Sequence, residues 1–364
     1  MPRLRKRARS APEDAARLEA LCGALAARRR TGEAVGEAAA YLERTGDRHL
    51  DTLAPLFHRL GAADLAARCY TRLQELAPER AAPWCGMAQL WAESGDHEAA
   101  RAAFERATLL EPRDSQAWYR RGCYLLRQRD LEGAEAALRR ALELEPTHAR
   151  AHGNLGLLLD LRGERAAAER EMQRALQLAP EEAENHFNLG ALYADSGRLD
   201  RALERFEAGV RLHPEHLEGH FNVGAIHLEQ GRFDAALAAL ARVLELDPAH
   251  AEALYATGLC CVRKGLYAEA LRHLEAAARA GADSPRLLYA MGMAYGGLDL
   301  PQQAVRVLSS LVERVPDHAR AHRLLGVCYD KLGDRERAAR SYRRADAGAV
   351  ADRRRAAARL LREF

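Results

Sequence analysis

Apolar residues recur along this chain with the spacing of one helix face, and the whole pattern returns every 34 residues. In units beginning at Ala81, Ser115, Ala149, Ala183, Leu217, Ala251, Pro285 and Ala319, the fourth place holds a large or ring-bearing residue: Trp84, Trp118, His152, His186, His220, Leu254, Leu288 and His322. The eighth place is small, Ala88 in the first of these units and glycine from Gly122 to Gly326 in the rest. Together with the seventh and eleventh places, such as Leu155 and Leu159 or Leu189 and Tyr193, they form an i, i+3, i+4, i+7 stripe that predicts one buried face of a first helix. Glycine at the fifteenth place, for example Gly95, Gly163 and Gly231, predicts a left-handed stop. A second helix is predicted after it, with Ala at the twentieth place (Ala100 through Ala338) and mostly a bulky residue at the twenty-fourth (Phe104, Leu138, Met172, Phe206). Prolines at 78, 112, 146, 180, 214 and 248 force the chain out of that helix, and Pro316 keeps the same register two periods further on.

Outside residues 81–350 the pattern loosens. Residues 47–80 match through Leu50, Leu53, Phe57, Gly61, Ala66, Tyr70 and Pro78 and read as a degenerate unit whose first helix Pro55 should kink. Leu18, Leu21, Cys22 and Leu25, then Val35, Ala38, Ala39 and Leu42, predict a capping hairpin over 14–46. Residues 351–364 read as a C-terminal capping helix, and residues 1–13 form a basic arm to which no role is given. The period fails at Ala282, and Gly296-Gly297 replaces polar residues near the next turn. That stretch is either a bend in the stack or plain sequence drift.

The order of ring, Leu-Gly, Tyr, Ala, Phe and Pro at these offsets resembles the tetratricopeptide repeat family. The resemblance implies an all-α fold, a right-handed α-solenoid of stacked helix-turn-helix repeats with helical caps. It also implies a non-catalytic scaffold or adaptor that holds an extended peptide or a helix of a partner protein on the concave surface. In the family that surface is lined by the second, fifth, sixth, ninth and thirteenth places; periodicity alone shows only that this face is free.

Composition changes this picture little. With 55 basic and 52 acidic residues the net charge is +3, so no global field recruits nucleic acid, and no apolar run approaches a membrane span. Seven cysteines without a CxxC pair read as free thiols in a reducing compartment, so the expected location is cytoplasmic. The repeats and caps fill the chain from about residue 14, leaving no room for a catalytic domain; the expectation is no enzyme, no cofactor and no metal.

On the free face, the fifth place is aromatic in five units, as Tyr119, Phe187, Phe221, Tyr255 and Tyr289, and the sixth is Asn154, Asn188 and Asn222 in three consecutive units. An amide both donates and accepts, so a row of them can pair with successive peptide groups while rings grip the side chains between. The ladder is similar to that of the repeat region of O-linked N-acetylglucosamine transferases; the other reading is that these are common repeat residues. Glu184, Glu218 and Glu252, with Asp195 and Glu229, make an acidic centre between Arg120, Arg127 and Arg150 on one side and Arg286, Arg320 and Lys331 on the other. Such a pattern selects a ligand of the opposite order, or merely keeps the face solvated.

Two further chemistries are set aside. The ninth place holds no Asn in any unit, so the family's two-carboxylate clamp cannot be assembled. The pairs His148 and His152, His216 and His220, and His318 and His322 are spaced i, i+4 like metal ligands, yet the spacing follows from the repeat itself and a structural role is expected. Cys85 and Cys123 are placed on the free face without a His partner that would make either a nucleophile. Alternatives to a plain adaptor are a regulatory or targeting subunit of a separate enzyme such as a glycosyltransferase, and a self-assembling scaffold, so a homo-oligomer stays open.

Overall fold

In a computed structural model of the protein, the backbone is described over residues 15–360 and the side chains over 18–348. The basic arm of residues 1–13 and the apolar residues Leu361 and Phe364 lie outside them. Regular structure among the described residues is helical, without strands. None of the described helices is long and apolar enough to cross a membrane. The chain divides into two compact units, Met1–Pro180 and Glu181–Phe364.

The first unit contains α1 (Ala15–Ala26), α2 (Thr31–Thr45), a 3-10 turn (Gly46–His49), α3 (Leu50–Arg59), α4 (Ala63–Leu76), α5 (Ala81–Ser94), α6 (His97–Leu110), α7 (Ser115–Arg127), α8 (Leu131–Leu144), α9 (Ala149–Leu161) and α10 (Arg165–Leu178). Each odd-numbered helix packs against the next as an antiparallel hairpin, and successive hairpins stack. Leu21, Leu25, Tyr41, Leu53 and Phe57 are buried together, so the first two hairpins share one core with the α4 residues Tyr70 and Leu73. Pro55 lies within α3, which has ten residues where α7 has thirteen.

The second unit repeats the scheme with α11 (Ala183–Asp195), α12 (Leu199–Leu212), α13 (Leu217–Glu229), α14 (Phe233–Leu246), α15 (Ala251–Arg263), α16 (Tyr267–Arg279), α17 (Pro285–Gly297), α18 (Pro301–Arg314), α19 (Ala319–Lys331) and α20 (Arg335–Leu360). The last helix does not stop at 350. It runs unbroken for 26 residues, so residues 351–360 extend the last hairpin and do not form a separate element.

Three local rules produce this regularity. The residue before proline is barred from helical backbone, and Ala77, Glu111, Glu145, Ala179, His213 and Asp247 accordingly leave the helix with ψ between 72° and 94°. Inside each hairpin the fifteenth place turns left-handed, with φ of 72–86° at the glycines of units from Gly95 to Gly333, and also at Arg129 (62°) and Asp299 (58°). At the eighth place the helices touch: a β-carbon on Gly258 would stand 2.7 Å from the Leu274 side chain, so the twenty-fourth place packs onto bare backbone.

The break in period at Ala282 is a change of helix exit. The Ala282 N–H bonds the Ala277 carbonyl (2.9 Å) and the Gly281 N–H the Ala278 carbonyl (3.1 Å), a glycine C-cap with Gly281 at φ 96°. Glycine thus does here what proline does elsewhere, and α16 and α17 still pack against each other.

Candidate partner-binding surface

From α7 on, every first helix except α11 follows a residue whose side chain caps it, and four of these residues are histidines. Nδ1 of His148, His216, His250 and His318 accepts the backbone N–H of Ala151, Gly219, Ala253 and Ala321 at 3.2, 2.9, 3.2 and 3.1 Å. The Ser284 hydroxyl caps Leu287 and the Asp114 carboxylate caps Gln116 in the same way. Four residues on, the ring at the fourth place reaches back: His152, His220 and His322 through Nε2, and Trp118 through its indole N–H, donate to the carbonyls of Pro146, Pro214, Pro316 and Pro112 at 2.7–3.1 Å. In each i, i+4 pair one histidine accepts from backbone and the other donates to it. Among the described residues no cluster of three or more His, Cys, Asp or Glu is placed to hold a metal ion.

The capping histidines also hold the fifth-place rings. In the first unit Tyr119 leans on His148 with ring centres 4.5 Å apart. In the second, Phe187 stacks on His216 (3.9 Å, 20°), Phe221 on His250 (5.4 Å) and Tyr289 on His318 (5.2 Å). Tyr255 has no such partner because Ser284 occupies the capping place. These contacts tie each hairpin to its neighbour, a role for the fifth place that the sequence pattern did not reveal.

Access therefore differs among the expected site residues. Phe187 is 6% exposed, so its ring supports the wall and offers no face to a ligand. Tyr119, Phe221, Tyr255 and Tyr289 are half-buried, and Glu184, Glu218 and Glu252 are exposed. Asn154 is committed within the first unit, its amide donating to the Cys123 thiol at 3.0 Å beside the Tyr119 hydroxyl. Asn188 and Asn222, both half-buried, make no side-chain hydrogen bond among the described residues. Cys85, expected on the free face, is 1% exposed, and burial pushes its thiol up to about 12. The same desolvation raises Cys123 above the usual thiol range, so neither is primed as a thiolate.

Two hollows open on the free face of the second unit. One, of about 620 Å³, is lined by Glu252, Tyr255, His250, Asp247 and Asp283. The other, of about 740 Å³, lies between α15, α17 and α19 and is lined by Tyr255, Tyr289, Arg263, Arg286 and Arg320. Burial raises the Tyr255 phenol above its ordinary range, and the Arg286 charge only partly opposes the rise. Arg263 was absent from the sequence-based set, although Asp195, Glu229 and Arg263 occupy the same place in successive units.

Comparison with known proteins agrees with this architecture. The tetratricopeptide repeat family model matches residues 85–146, 119–183, 187–239, 224–285 and 289–352, well over half of the chain. No curated protein matches its sequence. Among solved structures, the APC/C hetero-tetramer Cut9–Hcn1 is similar over 76% of this chain and 55% of that chain, with 18% identity and a TM-score of 0.56. Pseudomonas aeruginosa pilF is similar over 57% of this chain and 95% of its own, with 22% identity and a TM-score of 0.50. At these identities both likenesses concern the fold. YrrB, described as a TPR protein with an unusual peptide-binding site, shares 27% identity over 52% of this chain and 97% of its own, at a TM-score of 0.46.

Proposed function

The chain belongs to the tetratricopeptide repeat family, whose members serve as protein–protein interaction scaffolds, and we propose that it is a non-catalytic adaptor holding a partner segment along the free face of its first helices. The observation that carries this reading is the state of Asn188 and Asn222. Both amides stand half-exposed on that face without a side-chain hydrogen bond among the described residues, on the same face as the half-buried ring of Phe221 and the carboxylates of Glu184 and Glu218. Amides left open one repeat apart can pair with the donors and acceptors of an extended peptide, which must recover the hydrogen bonds it loses from water.

Site-specific photo-crosslinking tests the reading. A benzophenone residue placed at Glu218 or Glu252 should give covalent adducts with a partner in native extract, and adding Asn188→Ala/Asn222→Ala should abolish them while helicity is kept. Adducts formed only from the second-helix residues Glu204 and Arg242 would sink it. Self-assembly is a second reading, favoured by the exposed leucines Leu266, Leu298, Leu300 and Leu332 along the turns of the second unit. Concentration-dependent sedimentation that Leu298→Glu/Leu332→Glu abolishes would select it instead.

A further inference from the structure

Along the second unit the charge on the free face changes sign. The second place reads Glu184, Glu218, Glu252, Arg286, Arg320, and the thirteenth reads Asp195, Glu229, Arg263, Gly297, Lys331. On the basic side some cations are already neutralised within the protein: Lys331 pairs with Asp299 at 2.7 Å, and Arg314 pairs with Asp283. Arg263, Arg286 and Arg320 have no ion-pair partner among the described residues. All three line the 740 Å³ hollow, where Asp317 is the single carboxylate in the wall.

Next to this hollow lies a second, apolar one of about 240 Å³, with Met293 lining both. Its walls include Val262, Tyr267, Leu324, Val327 and the bare backbone of Gly296 and Gly297, with Lys331, already paired to Asp299, the one charged residue among them. The neighbouring units carry Val262 and Arg263, or Asp330 and Lys331, where this one has two glycines, so the gap is left by missing side chains. The Tyr267 ring closes one side: a β-carbon on Gly297 would overlap it, whereas one on Gly296 would meet only Leu324 at 3.6 Å.

We propose that the face formed by α15, α17 and α19 binds an acidic protein segment carrying a bulky apolar side chain, its carboxylates on Arg263, Arg286 and Arg320 and its apolar anchor in the gap at Gly296–Gly297. This rests on the adaptor reading above and specifies its partner. Three like charges around one hollow repel until a polyanion joins them, and a guanidinium offers a carboxylate two parallel hydrogen bonds. The Tyr255 and Tyr289 rings supply flat walls, and the neighbouring Met293 adapts its shape to the anchor. Upstream on the same unit, the carboxylates at Glu184, Glu218 and Glu252 disfavour continuation of the acidic run and orient the segment.

The test is fluorescence anisotropy of the full chain with two labelled synthetic peptides, one of glutamates around a single leucine and one with lysines in their place. The glutamate peptide should bind, the lysine peptide should not, and binding should weaken as salt rises. Arg286→Glu/Arg320→Glu should cost at least about tenfold in affinity, and Gly296→Leu, which plugs the apolar gap at a site with room for it, about tenfold. All three substitutions are at half-exposed or exposed positions, and melting curves confirm that the variants fold. Equal binding of the two peptides, no binding of the glutamate peptide, or full affinity in either variant overturns the proposal. Crosslinking from Glu218 would persist in that event, which separates failure here from failure of the adaptor reading.

Discussion

Phe187 and His216 stack face to face, their ring centres 3.9 Å apart and planes 20° from parallel, while His216 Nδ1 holds the Gly219 N–H at 2.9 Å. One imidazole thus caps its own helix and braces the ring of the preceding hairpin. The neighbouring backbone makes room for this: a β-carbon on Gly219 would come within 2.7 Å of the Phe187 ring.

Replacing Phe187 by Ala should consequently destabilise the α11–α13 region by about 3 kcal/mol, the usual cost of emptying a buried aromatic site. Repeat arrays need not unfold in one step, so the loss should be read locally. Faster amide hydrogen exchange around Gly219 is the expected outcome. Unchanged exchange there would show that the stack contributes nothing.

A pH dependence follows from His148. Burial holds its imidazole below the ordinary value of 6.5, and its capping nitrogen must stay unprotonated to accept the Ala151 N–H. The unfolded chain then binds the proton more readily than the folded one, so this stabilisation is complete above about pH 6.5 and is lost as pH falls through the lower folded-state value. Thermal melts between pH 8 and pH 5 should show His148→Asn losing less stability on acidification than the parent. Parallel curves would refute the linkage.

Arg129 turns left-handed, at φ 62°, where most other units place glycine. Arg129→Gly should raise stability by about 1 kcal/mol, since an L side chain pays a steric penalty there. A urea midpoint that falls or stays fixed would contradict this.

Two glycines in first helices should respond in opposite directions to Ala. Gly258→Ala drives a β-carbon to 2.7 Å from Leu274 and 3.3 Å from the Ala270 carbonyl, and should cost about 1–3 kcal/mol. Gly296→Ala finds ordinary contact at 3.6 Å and should gain up to about 1 kcal/mol from helix propensity. Paired melting curves decide it.

The fold could be read from the chain because each of its rules is local. Proline before the turn, glycine at the fifteenth place and the small residue facing a large one all act within a single hairpin. The candidate surface was less legible, since it depends on what each residue meets in the next unit. Phe187 and Tyr289 look alike in sequence, yet Phe187 is sealed under His216, while Tyr289 leans on His318 and still lines a hollow. Asn154 looks like Asn188 and Asn222 but bonds Cys123, a neighbour 31 residues away. The histidine pairs followed the repeat, as expected, but their complementary acceptor and donor duties needed the geometry. Ala282 breaks the period, and the reason it is tolerated lies in Gly281 beside it.

At the second place of the unit, Glu252 gives way to Arg286 while the adjacent buried stripe keeps its character, because both of those side chains are exposed. Codons at such places can drift or be selected without jeopardising folding. A lineage carrying this frame can therefore exchange one surface charge for another through a few mutations, with the helices beneath unaltered.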